Sequence, residues 1–387
     1  MRAVQWVQVG DIDGEAPGEG SSGVAMSSNG AVLAIAGAGS DGGGTGPNAG
    51  HVRVYVNTVG GWEQRGNDLD GPAAHISFGR AVALSADGNI LAVGAPRADV
   101  NGFNSGQVYV YRWNSNDWKA QGSTIEAEAA GDEFGSSVAL SDDGTILAVG
   151  AVFNNDGLYD RAGHVRVYAW TGTEWNQRGN DLDGASSHGF FGNSVSLSSD
   201  GSIVAAGAFE VDFGPGYVLV YRWSNSTWEQ QGSTLFGFSY NDFFGRSVSL
   251  SRDGRVLAVG ADSGNFAVVF RNDGTDWVQI GQTIHGEAPF DLFGLSLSLS
   301  SDGNTIVIGG YRNDSNGNYS GHALVLRLSP NGQDWVQVGQ ELFGEAAGDG
   351  FGSSTSIAND GNRIAIGAAG NDGNGPGSGH VRVFDLR

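Results

Sequence analysis

Aspartates and histidines are the side chains of this sequence whose spacing could support chemistry. Six aspartates stand at one fixed point of a recurring segment, each directly before a glycine: Asp87, Asp143, Asp200, Asp253, Asp302 and Asp360. Carboxylate oxygens are the ligands that calcium prefers, yet an Asp-Gly pair also provides the positive φ angles of a two-residue hairpin turn. Turn formation explains all six, so we interpret them as structural residues.

Four histidines also occupy one shared position, at the start of an apolar strand pattern: His51, His164, His322 and His380. A symmetric metal ring is one interpretation. Equivalent positions of different repeats lie far apart, however, and no His-x-His or Glu-x-x-His pair accompanies these residues. We therefore attribute the histidines to inheritance of the repeat and predict no metal site and no cofactor.

Linear catalytic motifs are absent from the sequence. It contains no Gly-x-Ser-x-Gly elbow with partners, no phosphate loop and no His-Glu-x-x-His. Nearly every acidic residue belongs to a repeat or a turn, so we predict a protein that is not an enzyme and assign no catalytic residue. A hydrolase or lyase remains an alternative, and it would require a close, non-repeated pair of loop carboxylates.

Composition and charge restrict the partners. The chain has 387 residues, 66 of them glycine, no cysteine and a formal net charge of −22. This charge repels polyanions, so we predict no nucleic-acid partner, while basic proteins and neutral sugars stay open. No stretch approaches 18 consecutive apolar residues, so we predict no membrane insertion. Residues 1–10 lack the apolar region of a signal peptide, and the compartment is left open.

An internal repeat positions all of these residues. The segment 78–95 begins with Phe-Gly and ends with Gly-Ala, and it recurs from Phe134, Phe191, Phe244, Phe293 and Phe351, with a degenerate copy at 20–37. A second marker, Trp-x-Gln-x-Gly or a variant of it, also occurs seven times. Each unit of 49 to 58 residues accommodates four short strands, which is the size of one propeller blade.

The two ends of the chain indicate how the array closes. Residues 1–15 contain only a fourth strand, and the unit that begins at Phe351 contains only strands one to three. We therefore predict an all-β, seven-bladed β-propeller of four-stranded antiparallel blades, in which the N-terminal strand completes the last blade. The propeller is a single domain, 1–387, with blades that begin near residues 20, 78, 134, 191, 244, 293 and 351.

The Phe-Gly pair followed by Gly94-Ala95-Pro96 and then by Gly-x-Val-Tyr-Val-Tyr (106–111) resembles the FG-GAP repeat of the integrin α-subunit propeller and its microbial relatives. The resemblance covers essentially the whole chain. It implies adhesion or protein recognition and an extracellular or cell-surface location. Many repeats of that family carry a calcium loop between strands one and two, but the connection here, 85–89 and its equivalents, is too short to surround an ion.

Variable loops on a rigid scaffold are the expected place of ligand contacts. The loops between strands two and three, and those between consecutive blades, should share one acidic face, whereas the repeated tryptophans should pack between blades. We predict ligand contacts at the aromatic and acidic residues of these loops: Phe103, Asp99, Asp156, Tyr159, Tyr240, Asp242, Phe290, Asp314, Tyr319 and Asp372.

These observations predict a non-enzymatic binding or scaffold module that recognises a protein partner through the acidic loop face. A carbohydrate-binding lectin, with a glycan as its ligand, is one alternative. An accessory subunit of a larger assembly is another. The oligomeric state is not predicted.

Overall fold

The computed structural model describes residues 4–20, 23–41, 45–155, 159–209 and 214–387. These residues form seven antiparallel sheets, or blades, arranged around one axis. None of them forms a helix that is long and apolar enough to cross a membrane. The predicted fold class is confirmed, including closure of the last blade by the N-terminal strand.

The first strand, β1 (Trp6–Asp13), belongs to the last blade, and the first three blades follow it along the chain. Blade 1 contains β2 (Gly23–Met26), β3 (Val32–Gly37), β4 (His51–Thr58), β5 (Gly61–Gln64) and β6 (Leu69–Asp70). Blade 2 contains β7 (Ala81–Leu84), β8 (Ile90–Ala95), β9 (Gln107–Trp113), β10 (Trp118–Ala120) and β11 (Ile125–Glu126). Blade 3 contains β12 (Phe134–Leu140), β13 (Ile146–Ala151), β14 (His164–Trp170), β15 (Trp175–Gln177) and β16 (Leu182–Asp183).

The remaining four blades repeat this order. Blade 4 contains β17 (Ser194–Leu197), β18 (Ile203–Ala208), β19 (Tyr217–Ser224), β20 (Thr227–Gln230) and β21 (Leu235–Phe236). Blade 5 contains β22 (Phe244–Leu250), β23 (Val256–Ala261), β24 (Phe266–Asn272), β25 (Trp277–Gln279) and β26 (Ile284–His285). Blade 6 contains β27 (Phe293–Leu299), β28 (Thr305–Gly310), β29 (His322–Leu328), β30 (Trp335–Gln337) and β31 (Leu342–Phe343). Blade 7 contains β32 (Phe351–Ile357), β33 (Arg363–Ala368), β34 (His380–Leu386) and β1.

In six blades the fourth strand is interrupted. In blade 3, β15 and β16 both pair with β14, and a turn through Gly179 separates them. A Cβ atom at Gly179 would lie 2.7 Å from the ring of Trp223 in the next blade. The glycine of the Trp-x-Gln-x-Gly marker is therefore required because a neighbouring tryptophan packs directly on the backbone.

The first hairpin of each blade is encoded locally. In blade 3, the Ser141 hydroxyl donates to the Asp143 carboxylate at 2.7 Å, and the backbone amide of Thr145 donates to it at 2.9 Å. Gly144 has φ 66°, which a glycine adopts without a steric penalty. The strand that follows, β13, is buried along almost its whole length because it lies between two neighbouring blades.

A belt of backbone hydrogen bonds closes the ring. The residue before each Asp-Gly or Asn-Gly pair donates its amide to the carbonyl of the equivalent residue in the next blade, with N···O distances of 2.8 to 3.0 Å. The belt runs through Ser28, Ala86, Asp142, Ser199, Arg252, Ser301 and Asn359 and returns to Ser28. Every blade is thus bonded to both neighbours at its innermost hairpin.

The repeated tryptophans join adjacent blades, as predicted. The indole N–H of Trp175 donates to the carbonyl of Gln121 at 3.0 Å, and that of Trp6 donates to Val338 at 2.8 Å. Equivalent bonds are made by Trp118, Trp228, Trp277 and Trp335. The phenylalanines of the Phe-Gly pairs are fully buried beneath the loops. Both aromatic series are therefore packing residues of the propeller.

Candidate functional site

The two faces of the disc carry different kinds of connection between strands. One face carries the short turns within hairpins. The other, here called the loop face, carries the connections between strands two and three and those between consecutive blades. In blade 2 these are 96–106 and 127–133, and the amides of Gly131 and Glu133 donate to the carbonyls of Phe103 and Asn104. The two sets of loops therefore pack on each other, and the loop face is a continuous surface.

The predicted acidic residues of the loop face accept hydrogen bonds from the backbone of their own loops and stabilise them. Asp99, Asp314 and Asp372 each accept a hydrogen bond from the backbone amide five residues further on, at 2.7 to 2.8 Å. Asp242 is buried and accepts from the amides of Phe238 and Ser239. Asp156 lies outside the described residues. A local role accounts for these four carboxylates, and a ligand role for them stays a prediction.

The strand-three histidines are surrounded by carboxylates that the linear sequence does not place beside them. In blades 3, 6 and 7 one buried histidine and two acidic residues bring candidate ligand atoms within 4.8 Å of one another. The groups are His164 with Asp181 and Asp183, His322 with Glu287 and Glu341, and His380 with Asp11 and Asp13.

The geometry of these histidines does not match a metal centre. The Nδ1 atom of His380 lies 3.5 Å from Asp11, and that of His164 lies 3.9 Å from Asp181, so these are contacts between charges rather than hydrogen bonds. Both histidines are buried, and no group among the described residues bonds to their Nε2 atoms. Metal-ligating histidines donate their second N–H to an acceptor, and the described residues offer no such acceptor to either Nε2 atom.

Burial favours the neutral form of His51, His164 and His380. It lowers the pKa of His164 to about 4, with a further contribution from the Arg166 guanidinium. Burial likewise lowers the pKa values of His51 and His380. Arg166 is in turn paired with Asp181 at 2.9 Å and with Glu128 of the preceding interblade loop. The His-x-Arg pair therefore connects adjacent blades electrostatically.

All five predicted aromatic residues are exposed. The exposed fraction is 75% for Phe103, 77% for Tyr240 and 82% for Phe290, and Tyr159 and Tyr319 are also open to solvent. Two further exposed aromatic residues that the sequence reasoning missed, Phe236 and Phe238, lie in blade 4 and its connection to blade 5. They could have been found, since both interrupt the small or acidic residues that most other blades carry there.

The exposed aromatic residues concentrate where blade 5 has an unusually short loop. Its second and third strands are joined by 262–265 alone, whereas blade 2 uses 96–106. The missing length leaves a notch of about 340 Å³. We call this feature the blade-5 notch, and it is lined by Ser263, Gly264, Asn265, His285, Gly286, Glu287, Ala288, Pro289 and Phe290.

Both sides of the blade-5 notch carry aromatic rings. Phe238 stacks on Phe266, the residue directly after the short loop, at 5.0 Å between ring centroids. The amide of Gly264 donates to the carbonyl of Asp242, which follows Tyr240 by two residues. Phe290 lies on the far side of the notch and has φ 73°. Its counterparts in the connections that follow blades 2, 6 and 7 are glycines, namely Gly131, Gly348 and Gly18. A bulky side chain is disfavoured in this left-handed region.

The loop-face mouth of the central channel holds residues that the sequence analysis did not select. Among them are Arg80 and Arg246, each directly after a Phe-Gly pair, and Glu133, directly before one. They could have been found, because they vary among positions that are otherwise equivalent from blade to blade.

The fold defines a seven-bladed β-propeller whose longer connections lie on one side. Residues 70–111 and 126–168 match the family model of the FG-GAP repeat. The chain is therefore a β-propeller that carries FG-GAP repeats. No curated protein matches its sequence.

Solved structures with the same architecture share little sequence with the chain. The β-propeller domain of Cps50 (Swd1) from Myceliophteria thermophila has a TM-score of 0.62 at 10% identity, and the match covers 99% of this chain and 100% of that one. Hydrazine synthase of Kuenenia stuttgartiensis has a TM-score of 0.58 at 14% identity over 91% and 93% of the two chains. The periplasmic gluconolactonase PpgL of Pseudomonas aeruginosa has a TM-score of 0.57 at 17% identity over 84% and 86%. At these identities the likeness describes the fold alone.

Proposed function

We propose that this propeller is a binding module that recognises a protein partner through the blade-5 notch of its loop face. The observation that carries the proposal is Phe290, which is 82% exposed although its backbone adopts φ 73°. Strained residues persist where the surrounding structure and the function require them. An exposed aromatic side chain at such a position contributes nothing to the core, and contact with a partner gives it a role.

The surroundings of the notch favour a protein rather than a small polar ligand. Phe236, Phe238, Tyr240 and Phe290 present apolar area on both sides of a shallow depression. Aromatic residues of this kind are enriched at the centres of protein interfaces, where they provide most of the binding energy.

The charge of the chain restricts the partner further. Glu287 lines the notch and is exposed, and the formal net charge of the whole chain is −22. A partner with an apolar anchor and a basic rim is complementary to this surface. The same docking describes an accessory subunit held in a larger assembly, so the two alternatives share one contact surface.

The test compares partner recovery by matched variants in the native source. We expect quantitative affinity purification with the wild-type chain to recover a partner protein. Its yield should fall at least about tenfold with a combined Y240N and F290G variant, because that variant removes two side chains that anchor the interface. V336T is the control, because Val336 is 54% exposed but lies on β30, in the rim of blade 6.

The proposal also predicts direct binding between the recovered protein and the purified propeller, weakened by the notch variant and not by V336T. It fails if no recovered protein depends on the notch. Specific binding across a glycan array that the notch variant loses would replace it with the lectin alternative.

A further inference from the structure

The loop-face mouth of the central channel is asymmetric. It is formed by the residues directly before and after each Phe-Gly pair and by those that follow the second strand of each blade. Blades 7 and 1 contribute small residues there, including Gly350, Ala369 and Ala38. Blades 2 to 6 contribute large ones, namely Arg80, Arg97, Glu133, Phe153, Phe190, Phe209, Phe243, Arg246, Leu292, Leu295 and Tyr311. The non-repeated side chains thus line most of a single opening, and the small residues of blades 7 and 1 line the rest.

One part of this lining is cationic, which is unusual in a chain with a formal net charge of −22. Arg80 is the residue after the Phe-Gly pair of blade 2, and its pKa is lowered by burial and then by the charge of Arg246 in blade 5. Arg80 and Arg246 hold the same position in their blades, where the innermost strand begins, so both lie at this opening. Arg97 and Glu133 lie close enough to affect the same group.

Two guanidiniums of this group, those of Arg80 and Arg97, make no direct bond. Within the described part of the chain, no hydrogen bond or ion pair reaches either side chain, and the charge of Glu133 acts on both. Arg246, in contrast, donates to the side-chain oxygen of Asn193 at 3.1 Å and lies 3.8 Å from Asp262. Arg80 and Arg97 are therefore the available cations of this group among the described residues.

An aromatic wall continues from the cationic part. Phe153 and Phe190 have ring centroids 5.4 Å apart, Phe190 and Phe209 are stacked at 5.2 Å, and Phe209 and Phe243 are 5.8 Å apart. The Arg246 guanidinium lies 4.8 Å from the centre of the Phe209 ring. Phe153, Phe209 and Phe243 are half-buried, so part of each ring is open to the mouth.

We propose that this mouth binds a small organic carboxylate carried on an apolar or aromatic body, with Arg80 as the carboxylate partner and Phe209 at the centre of the apolar wall. A guanidinium binds a carboxylate by donating two parallel hydrogen bonds to its oxygens. Ring faces and edges receive a planar body at the same time. The site is separate from the blade-5 notch and does not depend on the function proposed for it.

The charges of the mouth favour a singly charged acid over a phosphate. Glu133 stands near Arg80 and Arg97, and Asp262 stands near Arg246. Glu133 offsets one of the two charges of Arg80 and Arg97, so one positive charge is left for a single carboxylate, and a dianion would exceed it. A neutral analogue would leave Arg80 without a charged partner.

The test measures binding of phenylacetate to the whole chain by calorimetry, with 2-phenylethanol and acetate as ligand controls. We expect a dissociation constant of about 1 mM or tighter for phenylacetate and at least about tenfold weaker binding of both controls. R80Q removes the guanidinium and is expected to weaken binding at least about tenfold, R80K less so, and F209L also weakens it.

R255Q is the matched control, because Arg255 is exposed beside the Asp-Gly turn on the opposite face and the net charge changes equally. Thermal unfolding of each variant checks that it is folded. Absence of phenylacetate binding at about 10 mM, equal binding of 2-phenylethanol, or equal affinity of R80Q and R255Q would each overturn the proposal.

Discussion

Gln5 and Arg387 each donate a backbone N–H to the carbonyl of the other at 2.9 Å. This pair extends the ladder between β1 and β34, in which Trp6 is opposite Leu386 and Asp13 is opposite His380. The first and last units of the ring are therefore joined by main-chain hydrogen bonds as well as by packing. β1 therefore covers the edge of β34 and is itself the outer strand of blade 7.

The closing strand should contribute strongly to stability. Trp6 is 3% exposed and packs against blade 6, so we expect W6A to lower the free energy of unfolding by about 3–5 kcal/mol. Denaturant unfolding measures this loss. V4A is the control, because Val4 is exposed on the same strand end and should change stability by less than about 0.5 kcal/mol. Equal stability of the two variants would contradict a closure by β1.

Substitution of Phe290 tests partner binding and folding stability separately. Glycine occupies the equivalent point after blades 2, 6 and 7 with φ 79° to 90°, whereas His75, His188 and Asn241 occupy it after blades 1, 3 and 4 with φ 57° to 65°. F290G therefore relieves a backbone penalty and removes a side chain that has few contacts. We expect the free energy of unfolding to stay unchanged or to rise by up to about 1 kcal/mol, because greater chain entropy of the unfolded state offsets part of the gain. Chemical denaturation decides this.

Y319N is the comparison for this substitution, since Tyr319 has φ 56° where Asn48 and Asn104 stand in blades 1 and 2. It should behave like F290G in stability and should retain the partner that F290G loses. A loss of more than about 1 kcal/mol in F290G would mean that the aromatic ring stabilises the loop.

The buried histidines should make the protein sensitive to mild acid. The pKa of His164 is about 4 in the folded chain, lowered from 6.5, so between these pH values the unfolded chain binds a proton that the folded chain does not. Stability therefore falls as the pH drops from about 6.5 to about 4, and this residue contributes on the order of 3 kcal/mol of the fall.

Replacing this histidine should flatten the dependence. We expect H164N to lose less stability than the wild type over that pH window. The two proteins are first compared at pH 8, where His164 is neutral in both the folded and the unfolded state. Urea midpoints at each pH provide the measurement. The same slope in both proteins would show that His164 is not the titrating group.

Calcium should have little effect on folding. In the first hairpin of blade 2, the Asp87 carboxylate is already engaged by the Ser85 hydroxyl at 2.6 Å and by the Asn89 amide at 2.9 Å. Burial opposes ionisation of this carboxyl, but these hydrogen bonds outweigh it and hold its pKa below the ordinary value.

We expect excess chelator to shift the melting temperature by less than a few degrees, because a ligand stabilises the native state only if it is bound there. If chelator lowers the melting temperature by more than this and added calcium restores it, the chain contains a cation site. A magnesium control separates a specific site from general screening of the negative charge.

The sequence alone determined the architecture. The Ser-x-Asp-Gly hairpin is a local signal, since its hydrogen bonds join residues a few positions apart. The apolar second strand and the Trp-x-Gln-x-Gly marker are recognised from short sequence patterns that recur at a regular spacing. Seven copies of them, with a lone fourth strand at one end of the chain and three strands at the other, were sufficient to predict a closed ring. The exposure of the loop aromatics followed from the same pattern.

Only the tertiary structure decided which residues form sites. Arg80, Phe209 and Arg246 belong to three different blades and are brought to one opening by the radius of the ring. The carboxylates around His164 and His380 come from chain segments that the blade order brings beside them. The blade-5 notch exists because one loop is short while its neighbours are not. Such juxtapositions depend on distances across a closed assembly, and no local hydrogen-bond or hydrophobic pattern encodes them.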